Sequence, residues 1–483
     1  MLKRIGAEES GEFKAVASGT LPSGKPVVVN ADGTVSVVAG SATSVGTAAV
    51  FEDGTMSDNV SAVFDSTNNK VVVAYRDSGD SNYGKAVVGT VSGASISFGS
   101  PVTFNSGGYT GDIGAGFDAN AGKVLIGYRN NGNSNYGTAI VGTVSGTSIS
   151  FGTAAVFYST QAQSIAFAYD SNAQKLVVCY RDDGSPAKGS ANVCTISGTS
   201  VSFGSKASFE SAAVDYVAVT YESNSNRILV AYTDEGNSNY GTAAVGEVSG
   251  TSISFDTPVV FEDSSTYKSS ATFDSSNNKI VISYRNGADG DKGKAVVGTN
   301  SNSDGLSFGT PVVFNNASTD TNSIVFNPDA NTVTIAFKDV GNSNHGTAID
   351  GTVSGTSISF GSETVFEAAS TDGIDVVYDT SNDKTVVLFR DVDDSNKGKA
   401  LTYVGGSTNL TSENYIGMSK GGAVADTKGA TVDIIGAVND EQSGLTPGQQ
   451  YFVQTDGTIG TTAATPSVLA GTAISATELL VKT

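Results

Sequence analysis

The chain has no tryptophan, a single histidine (His345), two cysteines (Cys179 and Cys194) and only 27 lysines and arginines against 48 acidic residues. Each shortage excludes something. One histidine removes the central group of Ser-His-Asp, Cys-His and His-ligated zinc chemistry. Two cysteines, without Cys/His metal spacing, leave neither a disulfide framework nor a thiolate metal site. The net charge of −21 and pI near 4.3 give a surface that repels nucleic acid, so no DNA or RNA partner is expected. No run of about 18 apolar residues occurs, so no membrane span is expected. The start, "MLKRIGAEESGEFKAV", has basic residues but no apolar core, so no secretory signal is expected. A protein of this kind stays inside a cell or leaves by another route, such as lysis.

What is abundant is glycine, 58 residues in 483, with short apolar runs separated by Gly, Asn, Asp and Ser. That pattern predicts an all-β protein with many tight turns. The runs repeat. Tyr75, Tyr128, Tyr180, Tyr232, Tyr284, Phe337 and Phe389 each end an apolar run, 52 or 53 residues apart. Phe64, Phe117, Tyr169, Tyr221, Phe273, Phe326 and Tyr378 precede them, each followed by an acidic residue or Asn. Each copy holds four strand-like stretches, in the second "GAGFD", "KVLIGYR", "GTAIVGTV" and "TSISFGTAAVF". Seven four-stranded copies predict a seven-bladed β-propeller; a β-solenoid fits less well because its rungs are shorter.

Finer regularities extend this expectation. Ala74, Gly127, Cys179, Ala231, Ser283, Ala336 and Leu388 precede the second-strand aromatics. Fifteen residues later stand Gly89, Gly142, Cys194, Gly246, Gly298, Gly351 and Tyr403. In a symmetric hairpin these positions would lie side by side, small in six copies, leaving a slot for a neighbouring blade's aromatics. The cysteines fill that pair in the third copy and read as buried free thiols, a strained cross-strand disulfide being the alternative. The fourth strands end in Phe104, Phe157, Phe209, Phe261, Phe314 and Phe366. The seventh copy lacks its own, but "SATSVGTAAVF", ending at Phe51, matches the pattern. Residues 41–51 are therefore expected to complete the seventh blade and remove two open edges. The resulting division is an N-terminal β segment at 1–40, the propeller at 41–405, and a β-rich domain at 406–483. Both tails are expected to leave from one face.

The repeated loop, "GNSNYG" in its fullest form, lies on the other face. Its glycine (Gly84, Gly137, Gly189, Gly241, Gly293, Gly346, Gly398) reads as turn chemistry, with Asn and Asp beside it tolerating positive φ. The preceding residue varies in a way no turn requires: Tyr83, Tyr136, Lys188, Tyr240, Lys292, His345 and Lys397. A rim of Tyr and basic side chains suits carbohydrate stacking and anion contacts, and these seven are the candidate ligand-binding residues; ordinary surface decoration is the plainer reading. Arg76, Arg129, Arg181, Arg285, Lys338 and Arg390, with Thr233 as the exception, are followed by Asp or Asn. They read as a self-neutralising ring, with anion binding as the lesser alternative. The segments joining the blades differ in every copy, as recognition loops on a constant scaffold do. "DSGDSNYG" carries oxygen ligands but lacks the EF-hand register and distal Glu, so no metal or cofactor is expected. Without Trp, the Trp-bearing Asp-box of sialidase propellers is missing, and no acid pair stands out as catalytic; no enzyme is expected.

After the last copy come "ENYIGMSKG", "GLTPGQQYFVQTDGTIGTT" and "PSVLAGTAISATELLVK". This stretch of about 75 residues resembles a C-terminal module of tail-fibre-like structural proteins of bacteriophages, especially marine ones, and "LPSGKPVVVNADGTVSVV" near the start is similar to such proteins. The resemblance implies a virion structural protein, a tail-fibre or receptor-binding adhesin made in the host cytoplasm and released by lysis. It implies mounting on other virion proteins through 1–40 and 406–483, several copies per particle, and a host-surface glycan as the partner of the free face. A capsid decoration protein without receptor, or a glycan-active enzyme, are the alternatives.

Overall fold

The computed structural model describes residues 4–6, 11–41, 43–301, 305–411, 413–421, 424–464 and 467–482. Residues 1–3 and 7–10 of the expected 1–40 segment lie outside these. The fold is all-β; the helical content described is three single 3-10 turns, Asn131–Asn133, Glu235–Asn237 and Val340–Asn342. The chain divides into two compact bodies, Val45–Val404 and a second made of Met1–Ser44 with Gly405–Thr483.

The larger body repeats one antiparallel register seven times. In the second repeat Thr110–Asp118 pairs with Lys123–Asn130, which pairs with Tyr136–Ser145, which pairs with Ser148–Phe151. The burial of each strand explains its composition. Lys123–Asn130 is buried on both faces along Val124–Tyr128, so it reads as an unbroken apolar run. Ser148–Phe151 covers one face and alternates, as a half-exposed strand must. Asp118 closes the first turn: its carboxylate accepts the N–H groups of Asn120 and Ala121 at 3.0 and 2.9 Å. Asp65, Asp170, Asp274 and Asp379 do the same in their repeats, which accounts for the Asp after five of the seven first-strand aromatics.

Repeats join through residues far apart in sequence. Phe51, Phe104, Phe157, Phe209, Phe261, Phe314 and Phe366 each meet the second-strand aromatic of the following repeat, with ring centroids 5.0–5.4 Å apart. The first of these pairs is Phe51 with Tyr75. Phe51 lies on Ala49–Glu52, which pairs with Lys397–Val404 of the seventh repeat. The carboxylate of Asp375 in the seventh repeat accepts the N–H of Ala62 in the first at 2.8 Å.

Three expectations need correction. The small residues fifteen apart are not cross-strand partners: Cys179 pairs with Ala191 and Cys194 with Leu176. The hairpin is centred so that each second-strand small residue faces an alanine twelve positions on, as in Gly127–Ala139 and Ala231–Ala243. Cys179 and Cys194 therefore point into separate cores on opposite faces of the sheet. Both are free and buried, and burial pushes both thiols up.

The loop glycine is not the turn residue either. The left-handed positions are Ser81 and Asn82, Ser134 and Asn135, and their equivalents in every repeat but the third, whereas Gly137 and Gly241 are not left-handed. A Cβ on Gly241 would lie 2.5 Å from the Phe261 ring, and one on Gly398 would lie 2.5 Å from Phe51. The glycine is kept by packing. Finally, four of the joining segments are not loops but the middles of long strands: Ala155–Asp170, Val259–Asp274, Val312–Asn327 and Thr364–Asp379. Each runs from the outer edge of one repeat to the innermost position of the next.

In the smaller body both chain ends share one sheet. Glu12–Val16 pairs with Gly429–Asp433, and Pro26–Val29 pairs with Tyr415–Lys420. A second sheet holds Gln450–Val453, Leu469–Ala473 and Leu479–Val481. Val28, Met418, Tyr451, Val453 and Leu479 share one core.

Candidate functional site

Where successive repeats meet, at the end carrying the second-to-third-strand hairpins, the junction, or cleft, between their two facing walls has a constant plan. One wall is the outer-strand residue after the aromatic of the preceding repeat: Glu52, Asn105, Tyr158, Glu210, Glu262, Asn315 or Glu367. The other wall is a face of the next repeat. Cross-strand pairing puts the last residue of its second strand opposite the first of its third, as with Asp77–Tyr83, Asn130–Tyr136, Asp234–Tyr240 and Asp339–His345. The seven candidates Tyr83, Tyr136, Lys188, Tyr240, Lys292, His345 and Lys397 thus each open a third strand at a cleft, and all are half-buried.

Beside them stand the Asp and Asn residues that follow the arginines, expected from the sequence to neutralise them, and outer-strand residues that the sequence did not single out. The acid at the end of the second strand is buried and caps the hairpin loop: Asp77 Oδ1 accepts the N–H groups of Gly79 and Asp80 at 2.9 and 3.0 Å. The second-strand tyrosines reach across the cleft. Tyr75, Tyr232 and Tyr284 donate to Glu52, Glu210 and Glu262 at 2.7, 3.1 and 2.7 Å. Burial, and after it the Glu52 charge, pushes the Tyr75 phenol up.

The clefts differ in how they are filled. Lys292 pairs with Asp289 at 3.2 Å, and Lys397 with Asp53 and Asp394 at 3.1 and 3.4 Å. The phenol oxygens of the half-buried Tyr83, Tyr136 and Tyr240 make no hydrogen bond among the described residues. A signal for this division was present in the sequence. Where Asp occupies the loop position of Asp80, Asp289 and Asp394, lysine follows five residues later at Lys85, Lys294 and Lys399. Where Asn occupies it, at Asn133, Asn237 and Asn342, threonine follows at Thr138, Thr242 and Thr347. The lysines bridge the loop: Lys85 Nζ lies 2.7 Å from Asp77 and 2.9 Å from Asp80. Burial acts to lower the Lys85 ammonium, but its bonds to the two carboxylates outweigh it and hold it above its ordinary value.

The arginine ring is neutralised, though not by the residues that follow it. Arg129 pairs with Asp112 at 2.7 Å, Arg390 with Asp372 at 3.0 Å, and Arg181 with Asp183 and Glu235 at 2.6 and 2.7 Å. Asp112 and Asp372 come from first strands, because alternation turns the residue after each arginine to the opposite face. Thr233, the exception, donates to the carbonyl of Thr266 at 2.6 Å.

No family model matches the chain, and no curated protein matches it. Among solved structures it is similar to the BP39L lectin from Burkholderia pseudomallei, at 10% identity over 74% of this chain and 99% of that one, with a TM-score of 0.54. It is also similar to AofleA from Arthrobotrys oligospora, at 12% identity over 71% and 96%, with a TM-score of 0.41. The first likeness shows the fold alone, that of a β-propeller.

Proposed function

We propose that the protein is a non-catalytic carbohydrate-binding β-propeller of seven four-stranded blades, closed by the N-terminal strand, and that it acts as an adhesin. The observation that carries this reading is the repeated cleft. A half-buried Tyr, Lys or His stands beside hydrogen-bonding carboxylates and amides in every copy. Aromatic rings stack on the C–H faces of sugars, and carboxylates accept their hydroxyl groups. The fold likeness to a lectin supports it. The surplus of acid in the chain favours neutral or amine-bearing sugars over sialylated or sulfated ones.

The resemblance of the C-terminal module to phage tail-fibre proteins supports a setting on a virion, with the body built from both chain ends as the attachment piece and several copies per particle. Single clefts would bind at about 4 kcal/mol, the millimolar range, and copies on one particle would add avidity. A glycan array probed with the wild type and with a Tyr83→Ala, Tyr136→Ala, Tyr240→Ala triple variant tests the reading. Binding to neutral glycans that falls in the triple variant, with unchanged circular dichroism and no new reducing ends, is expected. Equal binding by both proteins places recognition elsewhere. Released product would make the protein a glycan-active enzyme, and silence on the array would favour a decoration protein.

A further inference from the structure

Four of the seven clefts contain a lysine ammonium that the chain itself supplies. Lys85 meets Asp77 and Asp80, Lys294 meets Asp289 at 3.1 Å, and Lys399 meets Asp391 and Asp394 at 2.7 and 2.8 Å. In the third repeat Ser190 stands at the corresponding position. There Lys206, at the start of the outer strand, reaches Asp182 at 2.5 Å instead. Two sequence positions can therefore deliver the same cation to the same buried acid.

In the sixth repeat both positions are changed and the acid remains. The third-strand position is Thr347, and the position of Lys206 is Glu363. Asp339 is 4% exposed. Its Oδ1 accepts the N–H of Asn342 and Nδ2 of Asn315, each at 3.2 Å, and its Oδ2 accepts nothing among the described residues. Asp339 pairs with His345, Phe337 with Thr347, and Thr347 with Val365, so these side chains share one face with Glu363, two residues before Val365. Thr347 is 1% exposed and its Oγ1 has no hydrogen-bond partner. Thr138 and Thr242, at the same position, donate to the carbonyls of Tyr136 and Tyr240. Glu363 is open to solvent. Burial and then the Asp339 charge hold its carboxyl above the ordinary value, which is the cost of setting two acids where other repeats set an acid and a lysine.

We propose that the cleft between the fifth and sixth repeats binds a primary ammonium group of a ligand, with Asp339 and Glu363 as its charge partners and Thr347 Oγ1 as a third acceptor. An ammonium has three N–H donors, and the cleft offers three oxygens on one face. This rests on the carbohydrate-binding reading and narrows it: the ligand is an amino sugar with a free amine.

The test titrates the full chain with glucosamine, N-acetylglucosamine and n-butylamine at constant ionic strength, following the resonances of this cleft by NMR. Glucosamine and butylamine are expected to bind and the acetylated sugar to leave these resonances unmoved. Glu363→Lys, which copies Lys206, should weaken glucosamine binding at least about tenfold and raise the melting temperature by supplying the missing cation. Asp339→Asn, which keeps an acceptor for the loop, should weaken binding likewise and serves if the lysine variant misfolds. Absence of amine binding, or binding unchanged in both variants, overturns the proposal. Butylamine binding without glucosamine binding overturns the sugar assignment and leaves the ammonium site. Neutral glycans bound on the array without any amine effect would sink this inference alone.

Discussion

At the scale of single residues, the recurring glycines of the repeat do two different jobs. Gly250 has φ of +62° and nothing within 4 Å of where its Cβ would be, so it serves the turn. Gly241 is held by the Phe261 ring. Asparagine tolerates left-handed backbone but brings a side chain. Gly250→Asn should therefore stay within about 0.5 kcal/mol of wild type, and Gly241→Asn should lose about 1–3 kcal/mol through overpacking. Chemical denaturation of the two variants decides it; equal effects would return Gly241 to the turn. Composition could not separate these roles, because both glycines follow polar residues and both recur with the period. Only the ring facing one of them distinguishes it.

At the scale of elements, the strand Ala49–Glu52 pairs with Lys397–Val404, more than 300 residues away in sequence. Its legibility was high: "GTAAVF" at Phe51 spells the same word as "GTAAVF" at Phe157. The structure gives it the contacts of an ordinary outer strand, Phe51 against Tyr75 and against Phe98 at 5.6 Å. Phe51→Ala should then cost about 3–5 kcal/mol, as much as Phe261→Ala in a repeat built from continuous chain. A loss below about 1 kcal/mol, within the range of surface changes, would mean the strand is an accessory. Deleting residues 1–51 should lower the melting temperature more than Phe51→Ala does. The hairpin register was less legible. A pairing offset of twelve or fifteen fits the same apolar run, and in six of the seven repeats two left-handed residues of the loop set where the chain reverses.

At the scale of the molecule, stability should respond to pH in one direction near neutrality. Asp112, Asp234, Asp350, Glu363 and Asp375 are all held above ordinary carboxyl values, burial being the first cause in each. A group raised in the folded state contributes stability that is complete below its unfolded pKa, about 3.9 to 4.3, and is lost as pH rises through the folded value. Asp182 is lowered: burial opposes this, but its bonds to Lys206 and Tyr158 prevail, and its contribution is lost only in more acidic solution. Moving from pH 7.5 down towards the unfolded carboxyl values of about 4.3 should therefore raise the melting temperature, and the shrinking net negative charge acts the same way. A melting temperature that falls over this interval would contradict the assignment of these carboxyls. In an Asp375→Asn variant the rise should be smaller.

The number of copies, the four strands in each and the all-β class were decided by the sequence alone, because a strand buried on both faces must be apolar throughout and a turn must carry Gly, Asn or Asp. The rim positions were also visible, since they vary where the glycine after them does not. What only the tertiary structure decided is which residues of neighbouring repeats meet beside the rim. Glu52 bonded to Tyr75, or Asn315 bonded to Asp339, come from neighbouring repeats, and nothing in the local sequence couples them. A sheet covers its second face only by stacking on the next one, so every cleft is made by two copies at once, and its chemistry exists only after they meet.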